Sequence, residues 1–218
     1  GEYKIPDEQT LSRLKEHIDS NKVKTDDSTK TISLEDDQML IDLGSIAKGY
    51  TSDKISKIMK NDGIESAVVS LGGNVQAVGK KPDGSQWKVA IQNPFDENDY
   101  AAVVTVDDCA VITSGAYQRY FEQDGKTYHH IMDPSTCAPA DTDLASVTIV
   151  SKDATLADAY STTLFILGKE KAVKFWHQNK YDFGIILIGK DKSVTVSQNI
   201  ADSFTVLNEN FDNVEIAK

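Results

Sequence analysis

Asp158 and Thr162 stand four residues apart in "ADAYSTT". On a helix that spacing puts both on one face, a carboxylate and a hydroxyl in otherwise small and apolar surroundings. Such a pair is poor zinc chemistry and reasonable magnesium chemistry, with waters and substrate phosphates completing an octahedron. The helix macrodipole alone also favours an aspartate near a helix N-terminus. A second candidate is "HHIMDPSTCAPA", residues 129 to 140. Tyr128 and Ile131 favour extended structure, whereas Asp133-Pro134 and the small polar residues after it read as a turn. If His130 and Asp133 both face that turn, the histidine can move a proton near neutral pH while the aspartate stays anionic. A solvated turn would carry the same residues.

Three further stretches place polar groups where backbone is free. In "IDLGSIAKGY" a strand is expected to run into Gly44 and a helix to begin near Ser45, so Lys48 and open N–H groups would sit where a phosphate or carboxylate can bind. The spacing is not that of a Walker loop, and an ordinary strand-to-helix turn explains it as well. "SLGGN" ends a strand in Gly72, Gly73 and Asn74, permitting close approach of a ligand or a simple bulge. In "TSGAYQRYF", Ser114 and Gly115 expose backbone. Tyr117 and Arg119, two apart, would share one strand face suited to a planar anion.

The surrounding pattern supplies the elements to hold these groups. Pro6 followed by Leu11, Leu14 and Ile18 predicts an amphipathic helix over about residues 6 to 20. "NKVKTDDSTK" reads as an exposed connection, and "TISL" and "MLIDLG" as two strands joined by "EDDQ". A helix over 45–60 follows, with Ile46, Tyr50, Ile58 and Met59 on one side. "SAVVSL", "NVQAVG", "QWKVAIQ", "AAVVTV", "CAVITSGAYQRYF" and "TYHHIM" read as an antiparallel meander. "ASVTIV" leads into a helix capped by Asp153 or Ser151 and ended by Gly168. A second helix, "KEKAVKFWHQ", and the strands "FGIILIG" and "SVTVSQ" close the chain. Strands and helices are segregated, so the expected fold class is α+β, a mainly antiparallel sheet with flanking helices.

The 218 residues suffice for a core without disulfides, and the net charge of -11 is spread along the chain. That balance argues against nucleic acid as a partner and means that an anionic ligand needs local backbone dipoles or a divalent cation. Cys109 and Cys137 have no zinc spacing. There is no run of 18 apolar residues, hence no transmembrane segment, and the opening "GEYKIPDEQT" looks like mid-protein sequence.

Six motifs in fixed order, "DLGSIAKGY", "SLGGN", "TSGAYQRYF", "YHHIMDPSTCAP", "SVTIV" and "ADAYSTTLFILG", make the chain resemble the ApbE-like FAD:protein FMN transferases from about Ile41 to Gly189. The resemblance implies an enzyme that binds FAD as substrate, uses Mg²⁺ or Mn²⁺, and transfers FMN to a Ser or Thr of an acceptor protein with release of AMP. It places the metal on the Ser45 carbonyl, Asp158 and Thr162, and the catalytic roles on Lys48, His130 and Asp133. Gly72, Gly73, Asn74, Ser114, Gly115 and Arg119 would line the flavin site. Residues 1–218 are then one ApbE-like domain, incomplete at its N-terminus, from a protein expected to be exported and membrane-anchored as a lipoprotein. Cys137 stands where that family usually has glycine. An FAD pyrophosphatase, in which water replaces the acceptor, and a non-catalytic flavin-binding module are the alternatives.

Overall fold

The computed structural model describes residues 4–179 and 182–218. Asp7 caps the first helix, α1 (Glu8–Lys15), its carboxylate accepting from Thr10 N–H at 2.7 Å. The helix is shorter than the expected 6–20. None of its residues is buried and Leu14 and Ile18 are exposed, so no packed apolar face extends it, and it stops after eight residues. A 3-10 turn, Ser20–Lys22, leads into a hairpin of β1 (Val23–Asp26) and β2 (Thr31–Leu34). The polar run expected as a plain connection therefore holds a strand and a turn, which Asp26 closes by accepting from Ser28 N–H at 2.8 Å. The strand expected at "MLIDLG" does not form. Residues 39–44 have no ladder partner among the described residues, and Leu40, Ile41 and Leu43 are exposed.

Helix α2 (Ala47–Asn61) ends at the expected "NDG", with Gly63 at φ 80°. Its buried side is not the apolar one. Gly49, Ser52 and Ser56 face inward, while Tyr50 and Ile58 are exposed. Small side chains win because another helix lies too close for large ones, as the site geometry shows.

The strands that follow are β3 (Ala67–Leu71), β4 (Asn74–Val78), β5 (Trp87–Gln92), β6 (Tyr100–Val106), β7 (Ala110–Gly115), β8 (Tyr120–Gln123), β9 (Lys126–His129), β10 (Met132–Asp133), β11 (Ala138–Pro139) and β12 (Leu144–Ser151). Helices α3 (Ala154–Leu167) and α4 (Lys169–Gln178) come next, then β13 (Gly184–Gly189), β14 (Val194–Ser197), β15 (Phe204–Val206) and β16 (Val214–Ala217). Seven strands form one sheet in the order β16-β14-β13-β12-β7-β4-β3, antiparallel except for the β14–β16 pair. The fold is α+β, as the segregated pattern implies. It is not a simple meander. β4 already has β3 on one edge and β7 on the other, so β5 and β6 pair with each other and with β15 in a second sheet.

The large sheet is covered on both faces. Ile112, Val147, Ile149 and Leu187 pack with Leu164, Phe165 and Trp176 of α3 and α4. On the other face Ala77, Val111, Val150 and Ile186 meet Val89, Ile91 and Val104 of the small sheet. The alternation along β12 follows from this: Val147 and Ile149 serve the helical side, Val150 the other. Double coverage also explains why "GIILIG" is buried at all six positions. Among the described residues no helix is long and apolar enough to cross a membrane.

Candidate functional site

Asp153 starts α3 by accepting from Leu156 N–H at 2.8 Å. From there Ala154, Ala157, Asp158, Ser161, Leu164 and Phe165 recur at helical spacing as the buried stripe. The first turns of this stripe lie against α2 with no room for a side chain. A Cβ added to Gly49 would stand 2.1 Å from the Ala154 carbonyl oxygen and 2.7 Å from Asp158 Cβ. Backbone contact lets the Gly49 N–H donate to Asp158 Oδ2 at 2.8 Å. The other oxygen, Oδ1, accepts from Asn74 Nδ2 at 3.0 Å, and Asn74 Oδ1 accepts from Lys48 Nζ at 3.2 Å. Asp158 is 4% exposed and Asn74 is 1% exposed, so the chain of contacts is largely shielded from water. Lys48 orients the amide of Asn74, and the amide orients the carboxylate.

One turn along α3, Thr162 Oγ1 lies 3.2 Å from Ser114 Oγ on β7, which is 2.8 Å from Ser161 Oγ. Ser161 Oγ in turn donates to the Asp158 carbonyl at 2.9 Å. Residues separated by up to 114 positions, Lys48 to Thr162, thus form one connected polar patch on α2, β4, β7 and α3. The Asp158 carboxylate and the Thr162 hydroxyl fit a hard, oxygen-seeking cation. Among the described residues no group of three or more His, Cys, Asp or Glu is arranged to hold a metal ion.

The other candidates lie in turns and at strand ends. Ser45 is exposed in the turn before α2, which begins at Ala47 rather than at Ser45. The N–H groups of Ile46 and Ala47 are already taken by the Leu43 carbonyl, so the junction is less open than expected. Gly72 and Gly73 form no bulge. They are the two-residue loop of the β3–β4 hairpin, at φ 57° and 92°, with open space where a Cβ would point. Gly115 ends β7, and its Cβ position is filled by the Tyr117 ring, 2.4 Å away. Tyr117 and Arg119 do not share a strand face. Both sit in the turn between β7 and β8, Tyr117 half-buried and Arg119 exposed. Burial pushes the Tyr117 hydroxyl above its ordinary range.

The two histidines are held in opposite tautomers. His129 is the last residue of β9; its Nε2 donates to the Ala140 carbonyl at 3.2 Å, its ring meets Phe165 edge-on at 5.8 Å, and its buried Nδ1 has no hydrogen-bond partner among the described residues. His130, just beyond the strand, is exposed and donates Nδ1–H to the Arg119 carbonyl at 3.2 Å, so its lone pair is on Nε2. Asp133 accepts from Ser135 N–H at 2.8 Å, and hydrogen bonding from Ser135 lowers its pKa. No hydrogen bond joins His130 to Asp133, or either to Lys48 or Asp158, among the described residues. Cys137, in the same loop, has φ 57°, a left-handed conformation that glycine adopts without strain.

Burial holds His129 below its ordinary value of 6.5, against the hydrogen bond to Ala140. A histidine depressed in the folded state contributes stability fully above the unfolded value and loses it as pH falls through the folded one. The melting temperature should therefore decline as pH drops below about 6.5. His129→Leu should flatten that part of the profile. An unchanged slope in thermal melts from pH 7.5 to 5 would assign the acid sensitivity elsewhere.

Sequence reasoning missed Gly49, Ser161 and Asp53, whose carboxylate accepts from Ala154 N–H at 3.0 Å and Thr155 N–H at 2.8 Å. The available signal was the run Gly49, Ser52, Asp53, Ser56, small or polar residues at helical spacing, which marks a face packed against backbone.

The model of the ApbE family matches residues 1–187. An "FAD:protein FMN transferase" of Treponema pallidum (strain Nichols) is 41% identical over 190 residues, which cover 83% of this chain and 52% of that protein. One of Klebsiella pneumoniae (strain 342) is 33% identical over 214 residues, 98% of this chain and 66% of its own length. Among solved structures, the ApbE protein of Thermotoga maritima superposes with a TM-score of 0.84 at 32% identity, covering 92% of this chain and 64% of that one. The flavin transferase ApbE of Vibrio cholerae gives 0.75 at 27% identity, covering 95% and 62%. The chain spans between about half and two thirds of the length of these relatives.

Proposed function

The chain belongs to the ApbE family, and on that footing we propose that it acts as an FAD:protein FMN transferase that moves FMN from FAD to a Ser or Thr hydroxyl of an acceptor protein. The observation that carries this reading is the convergence of Lys48, Asn74, Asp158, Thr162 and Ser114 in one polar patch of an otherwise acidic protein. A pyrophosphate needs local positive potential there, and Lys48 with a divalent cation would provide it.

Asp158, Thr162 and the Ser45 carbonyl would hold Mg²⁺, or Mn²⁺ in its place. The bound cation would neutralise charge on the pyrophosphate oxygens as the bond between the phosphates breaks. Lys48 supports the same anionic oxygens. Gly72, Gly73, Ser114, Gly115 and Arg119 line the approach of the nucleotide; the first two leave open space beside backbone, and Arg119 brings an exposed guanidinium. The acceptor oxygen forms a new bond to the FMN-side phosphorus, the bond from that phosphorus to the bridging oxygen breaks, and AMP leaves with that oxygen. The hydroxyl proton goes to His130 Nε2, the ring nitrogen that the Arg119 contact leaves with a lone pair. Asp133 is the weaker base, because Ser135 stabilises its anion, and its role is to orient the loop or the incoming hydroxyl.

The test is to incubate the protein with FAD, Mg²⁺ and a candidate acceptor and to measure acceptor mass and AMP together. A gain of one FMN unit with equimolar AMP supports transfer. AMP and FMN without label would mean that water replaces the acceptor, and neither product would reduce the chain to a flavin-binding module. In that assay His130→Ala should lower turnover by about two to four orders of magnitude, the usual contribution of a positioned proton-transfer group. Its melting temperature should not move, since the side chain is exposed. Turnover near wild type across the pH range would remove His130 from the mechanism.

A further inference from the structure

We infer that Asp53 is a positioning residue of the proposed metal site, acting on Asp158 through the first turn of α3. The inference rests on the reading of Asp158 as a metal ligand. Two successive turns of α2, at Gly49 and Asp53, lie against two successive turns of α3, at Ala154 and Asp158. The helices cap one another. The α2 backbone donates Gly49 N–H to the α3 carboxylate of Asp158, and the α3 backbone donates Ala154 and Thr155 N–H to the α2 carboxylate of Asp53. Thr155 Oγ1 adds a third bond to Asp53 Oδ2 at 2.5 Å. With Asp153 taking Leu156 N–H, the first three N–H groups of α3 all have carboxylate partners, and two of the three come from Asp53.

This clamp matters to the site because Asp53 is the α2 side chain that bonds directly to the backbone of α3. Gly49 touches α3 without a side chain, so the contact has no interlocking shape and slides unless polar bonds hold it. Asp53 holds the turn just before Asp158, and Gly49 N–H can then meet the carboxylate at bonding distance. A ligand whose carboxylate is held rigid pays less to meet a cation than one that must first be ordered. Losing such an orienting partner typically lowers metal affinity by about ten- to a hundredfold.

The experiment is a titration of the chain with Mn²⁺, read by the electron paramagnetic resonance of the free ion, with and without FAD. Wild type, Asp53→Asn, Thr155→Val and a core control, Ile149→Val, are compared. The expected results are an affinity loss of about tenfold or more for Asp53→Asn, a few-fold for Thr155→Val, and none for Ile149→Val, a core truncation on β12 that leaves every hydrogen bond between α2 and α3 in place. Asp53→Asn also removes a negative charge, so its ratio to wild type is measured at 0.1 and 1 M KCl. A field effect shrinks as the screening length falls from about 10 to 3 Å, whereas a positional one keeps its ratio. Affinity equal to wild type, a ratio that vanishes at high salt, or an equal loss in Ile149→Val each overturns the inference. If Asp53→Asn does not fold, Thr155→Val decides, and unchanged affinity there overturns it. A wild-type chain that binds no Mn²⁺ is a different failure, because it sinks the metal reading itself.

Discussion

Asp158→Asn should cut the proposed FMN transfer by about a thousandfold or more, the loss expected if Asp158 is the sole charged ligand of a catalytic cation. Divalent-cation affinity should fall with it. The structure adds a second consequence. Both carboxylate oxygens accept, one from Gly49 N–H and the other from Asn74 Nδ2. An asparagine can accept on one side only, and its NH₂ then faces a donor in a buried position, which costs about 1–3 kcal/mol. The variant should therefore be folded but less stable, and turnover must be measured where circular dichroism shows it native. Transfer close to wild type at saturating Mg²⁺ would sink the assignment of Asp158. Lost transfer with cation affinity intact would instead make Asp158 a support for Asn74 and Lys48.

Gly49→Ala should destabilise the protein by about 3 kcal/mol, at the upper end of what overpacking usually costs. The sign is informative, because alanine in a helix interior normally gains about 1 kcal/mol over glycine. Here the new methyl would lie 2.1 Å from the Ala154 carbonyl oxygen, and that turn of α3 is tied to Asp53 and cannot yield cheaply. The helices must part, and the Gly49–Asp158 bond breaks with them, so activity should fall further than the loss of stability alone would explain. Urea denaturation gives the stability and the acceptor assay the activity. A variant as stable as wild type would mean that α2 and α3 are not in backbone contact.

Much of the candidate site's geometry could be read because its spacing is local. Asp158 and Thr162 are four apart on a helix, and a 3.6-residue period places them on one face whatever the rest of the chain does. The Asp153 cap, the Gly168 terminator and the fully buried run of β13 are likewise short-range signals. Tyr117 and Arg119 were misread for the same kind of reason. Their spacing suits a strand, but β7 stops at Gly115, where Tyr117 folds back over the glycine. Apolar spacing also misled at α2. Ile46, Tyr50, Ile58 and Met59 look like a buried stripe, yet Tyr50 and Ile58 are exposed and the small residues are inside.

By itself the sequence determined the α+β class, most helix and strand positions, the family resemblance and the residue types of an oxygen-rich polar patch. All of these depend on side-chain type at short separation. Only the tertiary structure decided which groups meet: that Asn74 orients Asp158, that Ser114 reaches Thr162, that β5 and β6 leave the main sheet, and that Asp53 caps a helix about a hundred residues away. Those contacts follow from strand order and from how closely two helix backbones approach. Both are set by the packing of the whole core, which no local period encodes.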